Sequence, residues 1–486
     1  MKIRVLWLSA AAALFVAAAL AGCGGTSYFA GRNLPPSGLT NRVMIAIQNP
    51  SAFTKGSLQF VDAYYDIRSG YNGKPGNFSI SGYAGALPIS IQNMPEEQVG
   101  YVYGSGDGSF SPISYAKEST SNAVAGLNGL SSSIFTTRSQ NFVFAASQSS
   151  HVLTVIDHTN SNSYPLSLPG IYRVSVNPGG SMALAFVQNS NYAYYPVKLS
   201  SEQTISYSGG PTTWPKAAVD CEPLNSPGWC LLQAQSPDHV DSTGNSYGAP
   251  LVFDRPVKAV FSTDGGTAYV LNCGPECGGS KASITTLPVA PMIYLVGQGS
   301  GTLPTNSALA ASTLAIPGGA SNALVDASTM YVVGQQPQQV NAQTLFAGNL
   351  TVVNLSAYTA SSPISVSDGL PGAPSRMLEA DNNTLWIAMT KCNQGVRAAT
   401  GQSYGCLTMF NTSSSKVTML EPYLGDATGI AAVTGLNKIY TTEGGQVYIY
   451  TTTDGTALDN QYVTVTGTAF DVAYMDAASD ANNTVY

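Results

Sequence analysis

Charge is the scarcest thing in this chain. Of its 486 residues only 10% are Asp, Glu, Lys or Arg, against roughly 25% in an ordinary globular protein. Its polar surface must come from Ser, Thr, Asn, Gln and Gly, which suits an exported β-protein better than a cytosolic enzyme. The 20 Lys and Arg are outnumbered by 27 Asp and Glu. Removing Lys2 and Arg4, the charges of residues 1–22, takes the formal net charge from −7 to −9. An acidic chain gains nothing from counterion release on nucleic acid, so nucleic acid is excluded as a main partner.

Histidine is almost missing, with only His151, His158 and His239. His151 and His158 bracket one strand at odd spacing, so they face opposite sides and fit a surface or structural role. No H-E-x-x-H pattern and no EF-hand loop occurs, and no metal or cofactor is expected. Asp476, Asp480, Asn482 and Asn483 offer oxygens to calcium but lack the glycines of a tight loop, so they read as a solvated loop. Two G-x-S-x-G matches centre on Ser246 and Ser403, with Asp238 and His239 near the first. Neither precedes a helix, as a nucleophile elbow requires. In a chain rich in Gly and Ser they read as chance, and no catalytic residue is assigned.

What is present begins at the N-terminus. Lys2 and Arg4 precede an apolar run from Val5 to Leu20, shorter than the roughly 20 residues of a spanning helix and of signal-peptide length. Leu20-Ala21-Gly22-Cys23 resembles the lipobox of bacterial lipoproteins. The resemblance implies a signal peptide over 1–22, lipid on Cys23 and a membrane anchored through it. Gly24, in place of Asp, points to the outer membrane of the cell envelope under the sorting rule of enteric bacteria. Residues 23–40, with Gly, Ser and Pro35-Pro36, read as a lipidated cysteine and a flexible tether.

Six cysteines remain, in local couples: Cys221 with Cys230, Cys273 with Cys277, Cys392 with Cys406. An even number in an oxidising compartment reads as disulfides. Zinc is the alternative, but the spacings and the dearth of histidine fit it poorly. Cys273-Gly-Pro-Glu-Cys277 has one residue too many for a C-x-x-C redox pair and reads as a stapled turn.

The rest of the chain lacks helical periodicity. Short β-branched and aromatic runs alternate with Gly, Asn, Asp and Ser, which predicts many short strands. One strand type recurs as Ser57–Asp62, Val152–Asp157, Asn349–Asn354, Cys406–Asn411 and Gln446–Tyr450, with weaker copies near Phe110, Tyr194 and Ile284. Most of these eight copies lie about 40–50 residues apart, the spacing of propeller blades. The interval from Tyr194 to Ile284 is about twice that and holds Trp214, Trp229, Cys221 and Cys230. It reads as a disulfide-stapled insertion at about 203–250, or as a further degenerate blade. Phe470–Met475 looks like a first strand with no blade after it, and Arg42–Ile47 starts without one. Pairing the two would close the ring.

Together these residues predict an all-β propeller over 41–486, of about eight four-stranded blades, with seven the alternative. Asp264-Gly265, Tyr269-Val270 and Thr154-Val155-Ile156-Asp157 resemble the repeat of the YVTN-type and lactonase-like β-propellers. That resemblance implies a fold far better than an activity. In this architecture first strands line a central channel, and the residue starting each one points to a mouth. Aligned there are Arg173, Lys258 and Arg376, with Asp471 in the closing blade and Gly429 in another. Three cations at equivalent positions, in a chain with so few, predict a site for an anionic ligand or a partner carboxylate. The competing explanation is that each is a solvated strand end or pairs with an acid such as Asp471 or Glu379.

The expected function is a non-enzymatic binding or scaffold module that presents a channel mouth and disulfide-closed loops to an envelope protein, a glycan or a small anionic ligand. The alternative is a lactonase-like hydrolase at the mouth, although that family's acidic and basic catalytic residues find no clear counterparts here. A third is a scaffold for outer-membrane protein assembly. Quinoprotein-type propellers carry a tryptophan in most blades, and this chain has four tryptophans, one of them Trp7 in the signal.

Overall fold

The computed structural model describes residues 34–49, 56–68, 78–177, 179–180, 182–198, 218–223, 228–235, 250–289, 311–340, 342–367, 371–392, 407–420 and 426–479. Cys23, the 1–22 segment, Ser246, Ser403, His239, Cys406, Asp480, Asn482 and Asn483 lie outside these residues.

Eight antiparallel sheets follow one another along the chain and around a ring. Blade 1 is made by both ends of the described chain. Its inner strand, Thr468–Tyr474, pairs with Arg42–Gln48, which pairs with Ser57–Asp62. A bridge at Ser79, flanked by hydrogen bonds from Phe60 N to Phe78 O and from Ile80 N to Leu58 O, fills the fourth place. Blades 2 to 8 begin with inner strands Pro88–Met94, Ser133–Thr136, Ile171–Val176, Pro256–Phe261, Asn322–Asp326, Ala373–Ala380 and Ala427–Val433. The ring therefore has eight blades, not seven, and the termini close it. Closure leaves no inner sheet edge open to pair with another chain.

All eight recurrent segments fall in third strands. In Val152–Asp157 every residue after Val152 is buried, because each blade is covered on both faces by its neighbours. The apolar core is accordingly divided into eight clusters, one at each interface between adjacent blades. Turn chemistry follows the sequence. Between Pro256–Phe261 and Thr267–Asn272, Gly265 takes φ +69°, and the Asp264 carboxylate accepts from Ser262 Oγ at 2.5 Å and Gly266 N at 2.9 Å.

Among the described residues the long interval holds no extra blade. Trp229–Gln233 is the fourth strand of blade 4, and Ala218–Glu222 adds a fifth, bridged by Cys221–Cys230. Trp229 packs against Phe142 and Phe144 of blade 3. Its Nε1 donates to Asp157 at 3.2 Å, and Lys198 pairs with the same carboxylate at 2.7 Å. Cys273–Cys277 is a second disulfide. Cys392 is also disulfide-bonded.

Two expectations are corrected. The tether is not free up to residue 40, since Pro35, Ser37 and Leu39 are buried. Asp476 is not in a solvated loop. It is 3% exposed and grips Arg42, whose Nη2 lies 2.6 Å from its Oδ1 and whose Nε donates to its Oδ2 at 2.9 Å. Arg42 Nη1 reaches Glu118 of blade 2 at 2.8 Å, and Glu118 in turn accepts from Ser37 N and Oγ.

One buried acid sets a pH response. Glu443, fully enclosed in blade 8, accepts from Thr441 and, at 3.2 Å, from Tyr450. Burial outweighs these bonds and pushes its carboxyl up to about 7. The folded chain keeps this proton after the unfolded chain has lost it, so the associated stability is full below pH 4.5 and fades as pH rises through 7. Glu443→Gln has no proton to lose. Relative to the parent it should gain about 3 kcal/mol between pH 4.5 and pH 8, read by chemical denaturation at both pH values.

Candidate functional site

Proline opens two inner strands, at Pro88 and Pro256, and stands second in a third, at Pro374. Proline suits a strand start, where its missing N–H costs no ladder bond. A bulge follows in six inner strands, and a bulge re-aims the next side chain. The residues re-entering register are Ser90, Arg173, Lys258, Arg376, Gly429 and Asp471. In the two inner strands without a bulge, the register puts Ser133 and Asn322 at that place. One ring of eight positions, one per blade, thus circles this end of the channel.

Arg173, Lys258 and Arg376 all line a single cavity of about 680 Å³ at that end. Asp471 does not line it. It is 1% exposed and lies behind Arg376, accepting from Arg376 Nη2 at 2.9 Å and from Ile91 N at 2.8 Å. Asp471 thereby ties blade 1 to blades 7 and 2. Arg376 must cross blade 8 to reach it, and there the ring residue is Gly429. A Cβ on Gly429 would stand 2.7 Å from both Cα and Oδ1 of Asp471. The glycine is required by close approach.

The other two cations are not neutralised in this way. Among the described residues Arg173 has no hydrogen-bond or ion-pair partner. Its guanidinium lies 5.8 Å from the ring of Tyr172, a neighbour too close in sequence to count as a designed contact. Lys258 Nζ donates to the neutral Asn322 Oδ1 at 2.8 Å. Burial, helped by Arg173 and Arg376, lowers its ammonium to about 7. The one carboxylate on the wall, among the described residues, is Glu276, which the sequence hid inside the stapled turn. The turn is a 3-10 segment, Gly274–Cys277, closed by Cys273–Cys277. Asp254 holds the segment that follows by accepting from Ser280 N and Oγ and Lys281 N. Glu276 thus lines the cavity, accepts from Gln335 N at 3.1 Å and is pushed by burial up to about 7. Arg255 and Lys391 also line the wall, which is otherwise largely apolar and hydroxylic, with Phe135, Tyr172 and Ser133.

A concave space with apolar walls and a few converging polar groups is the usual form of a small-molecule site. Among the described residues no cluster of three or more His, Cys, Asp or Glu is placed to hold a metal ion. His151 and His158 are exposed, and His158 Nδ1 sits 2.8 Å from Gln140 O.

No protein-family model matches the chain, and no curated protein matches its sequence. Among solved structures it is similar to apo AztD from Citrobacter koseri, at 11% identity, TM-score 0.47, 89% of this chain and 97% of that one. It is also similar to hydrazine synthase of Kuenenia stuttgartiensis, at 12% identity, TM-score 0.46, 79% of this chain and all of the other. A third similar structure is the dihydro-heme d1 dehydrogenase NirN, at 10% identity, TM-score 0.46, with 91% and 76% covered.

Proposed function

We propose that the protein is a non-enzymatic binding module of the cell envelope, anchored by lipid on Cys23, whose cavity captures a small anion or the carboxylate of a partner molecule. One observation carries this: Arg173 and Lys258 face a shared cavity without a carboxylate to neutralise them, while the third cation of the set is already paired. An unpaired cation in a partly enclosed space costs free energy. A site that accepts that cost is suited to an anion that removes it. The arrangement of the chain fits an anchored protein. Arg42 is held by Asp476, just past the end of the blade 1 inner strand, and Ser37 by Glu118, which shares Arg42, and the cavity opens where inner strands begin. The described chain thus enters the ring at the end away from the cavity, and a tether to Cys23 starting there would leave the cavity open.

Isothermal titration with sulfate, succinate and acidic sugars tests the site. Arg173→Ala should weaken binding of an accepted anion by tenfold or more, since a hydrogen bond to a charged group contributes about 1.5–3 kcal/mol. Equal affinity in parent and variant would remove the cavity as the site. Cys23→Ser should move the protein from the membrane to the soluble envelope fraction.

The lactonase-like hydrolase is favoured by one feature. Lys258 and Glu276 both exchange protons near neutrality within one cavity, as an acid–base pair must. Turnover of lactones by the purified protein, lost in Glu276→Gln, would replace the binding reading.

A further inference from the structure

Lys258 occupies an unusual position for a lysine. It sits between two arginines on the same ring, Arg173 of blade 4 and Arg376 of blade 7, and among the described residues its one side-chain hydrogen bond goes to the amide oxygen of Asn322 in blade 6. Asn322 Oδ1 also accepts from Ala323 N at 2.9 Å, so it offers Lys258 little. The nearest acid on this ring, Asp471, is engaged by Arg376. Glu276 lies on the cavity wall with Gln335 N as its partner and Lys391 as the cation acting on it. We propose that anion capture in this cavity is proton-linked: Lys258 takes up a proton as the anion binds, and Glu276 must stay neutral. The proposal rests on the anion-binding reading and specifies how that site is regulated.

Charge counting gives the size of the effect. Lys258 is lowered to about 7 and Glu276 is raised to about 7. At pH 6 both groups are protonated, and Arg173 and Lys258 of the ring stand uncompensated, with Arg255 and Lys391 adding fixed positive charge elsewhere on the wall. At pH 8 the lysine is an amine and the glutamate an anion. The wall loses two units of positive charge across one physiological interval. Both changes act in the same sense, so rising pH releases the anion. An anion placed against Lys258 restores the ammonium by supplying the missing countercharge. By linkage, the affinity then falls about tenfold per pH unit above 7 for the lysine alone. A ligand captured in a mildly acidic envelope would be released where the pH is higher.

Calorimetry with sulfate and succinate, anions whose own charge is constant between pH 6.5 and 8.5, tests this on the intact protein. The dissociation constant of the parent should rise at least about twentyfold over that range. Titrations at pH 7.5 in two buffers of different ionisation enthalpy should show uptake of about one and a half protons per anion in the parent, and of most of one where Glu276→Gln leaves the lysine alone. Lys258→Arg keeps a charge at every pH and should remove most of the pH dependence while retaining binding. Adding Glu276→Gln should flatten the remainder. Binding that is pH-independent, with no proton uptake, overturns the linkage and leaves the anion site standing. If neither probe binds at any pH, the linkage fails together with the reading beneath it.

Discussion

Arg42→Leu is expected to cost about 3–5 kcal/mol of stability, the loss that follows when one member of a buried ion cluster is removed. Arg42 is 1% exposed and divides its guanidinium between Asp476, near the C-terminal end of the described chain, and Glu118 of blade 2. Its Nη1 also donates to Tyr115 O at 2.8 Å, and its backbone N donates to Asp476 Oδ2 at 2.8 Å. Leucine would leave two carboxylates enclosed without a countercharge. They meet at the blade where the ring closes, so the damage falls on the ladder between Arg42–Gln48 and Thr468–Tyr474. Arg42→Lys keeps the charge but cannot serve two carboxylates with a planar fork, and should lose an intermediate amount. Adding Glu118→Gln and Asp476→Asn to Arg42→Leu removes the stranded charges and should recover a good part of the loss. Chemical denaturation of the four proteins measures all of this. A loss under about 1 kcal/mol for Arg42→Leu would show that closure depends on the ladder and its apolar cover alone, because breaking a buried pair cannot be that cheap.

This cluster also marks where sequence reading stops. The third strands are legible because their signal is local: Val152–Asp157 carries its apolar run and closing Asp in six adjacent residues. The joining of the two ends is legible for a related reason, since Phe470–Met475 and Arg42–Ile47 each lack what the other supplies. The ring positions of Arg173, Lys258 and Arg376 follow from register, which repeats blade by blade. Nothing repeats in the pairing of Arg42 with Asp476, separated by 434 positions, and Asp476 by itself resembles any loop acid. Glu276 was hidden in the same way. Its two cysteines drew attention to the turn as a staple, while its approach to Gln335, 59 positions on, belongs to the contact between blades 5 and 6. The hairpin of Ala218–Glu222 and Trp229–Gln233 stayed concealed because cysteine and tryptophan in a long interval look like an insertion until Trp229 is seen against blade 3. The propeller repeat thus encodes blades and their register. Contacts peculiar to one interface are written once and have no second copy to betray them.

Asp471→Asn joins the two halves of the molecule's behaviour, since one carboxylate both supports closure and restrains the site. The exchange is nearly isosteric, so the acceptor for Ile91 N can be kept while the countercharge of Arg376 is lost. Stability should fall by about 3 kcal/mol, the lower end of the cost of breaking a buried pair, because the hydrogen bonds are partly preserved. Anion binding should move the other way. Arg376 lines the cavity, and freed from Asp471 it adds one more uncompensated cation to those already on the wall. A gain of about tenfold in sulfate affinity corresponds to about 1.4 kcal/mol, modest for a charge at close range in a restricted space. Lys258, facing a stronger positive field, should hold its proton less firmly in the free protein, so the pH at which affinity declines should shift downward. Gly429→Ala approaches the same pair from blade 8. Its Cβ meets the Asp471 backbone as well as the carboxylate, so it should destabilise without freeing the charge cleanly. A variant Asp471→Asn that is less stable and binds anions more weakly would mean that Arg376 serves the site through its fixed position, and that the acid behind it orients the guanidinium for the ligand instead of competing with it.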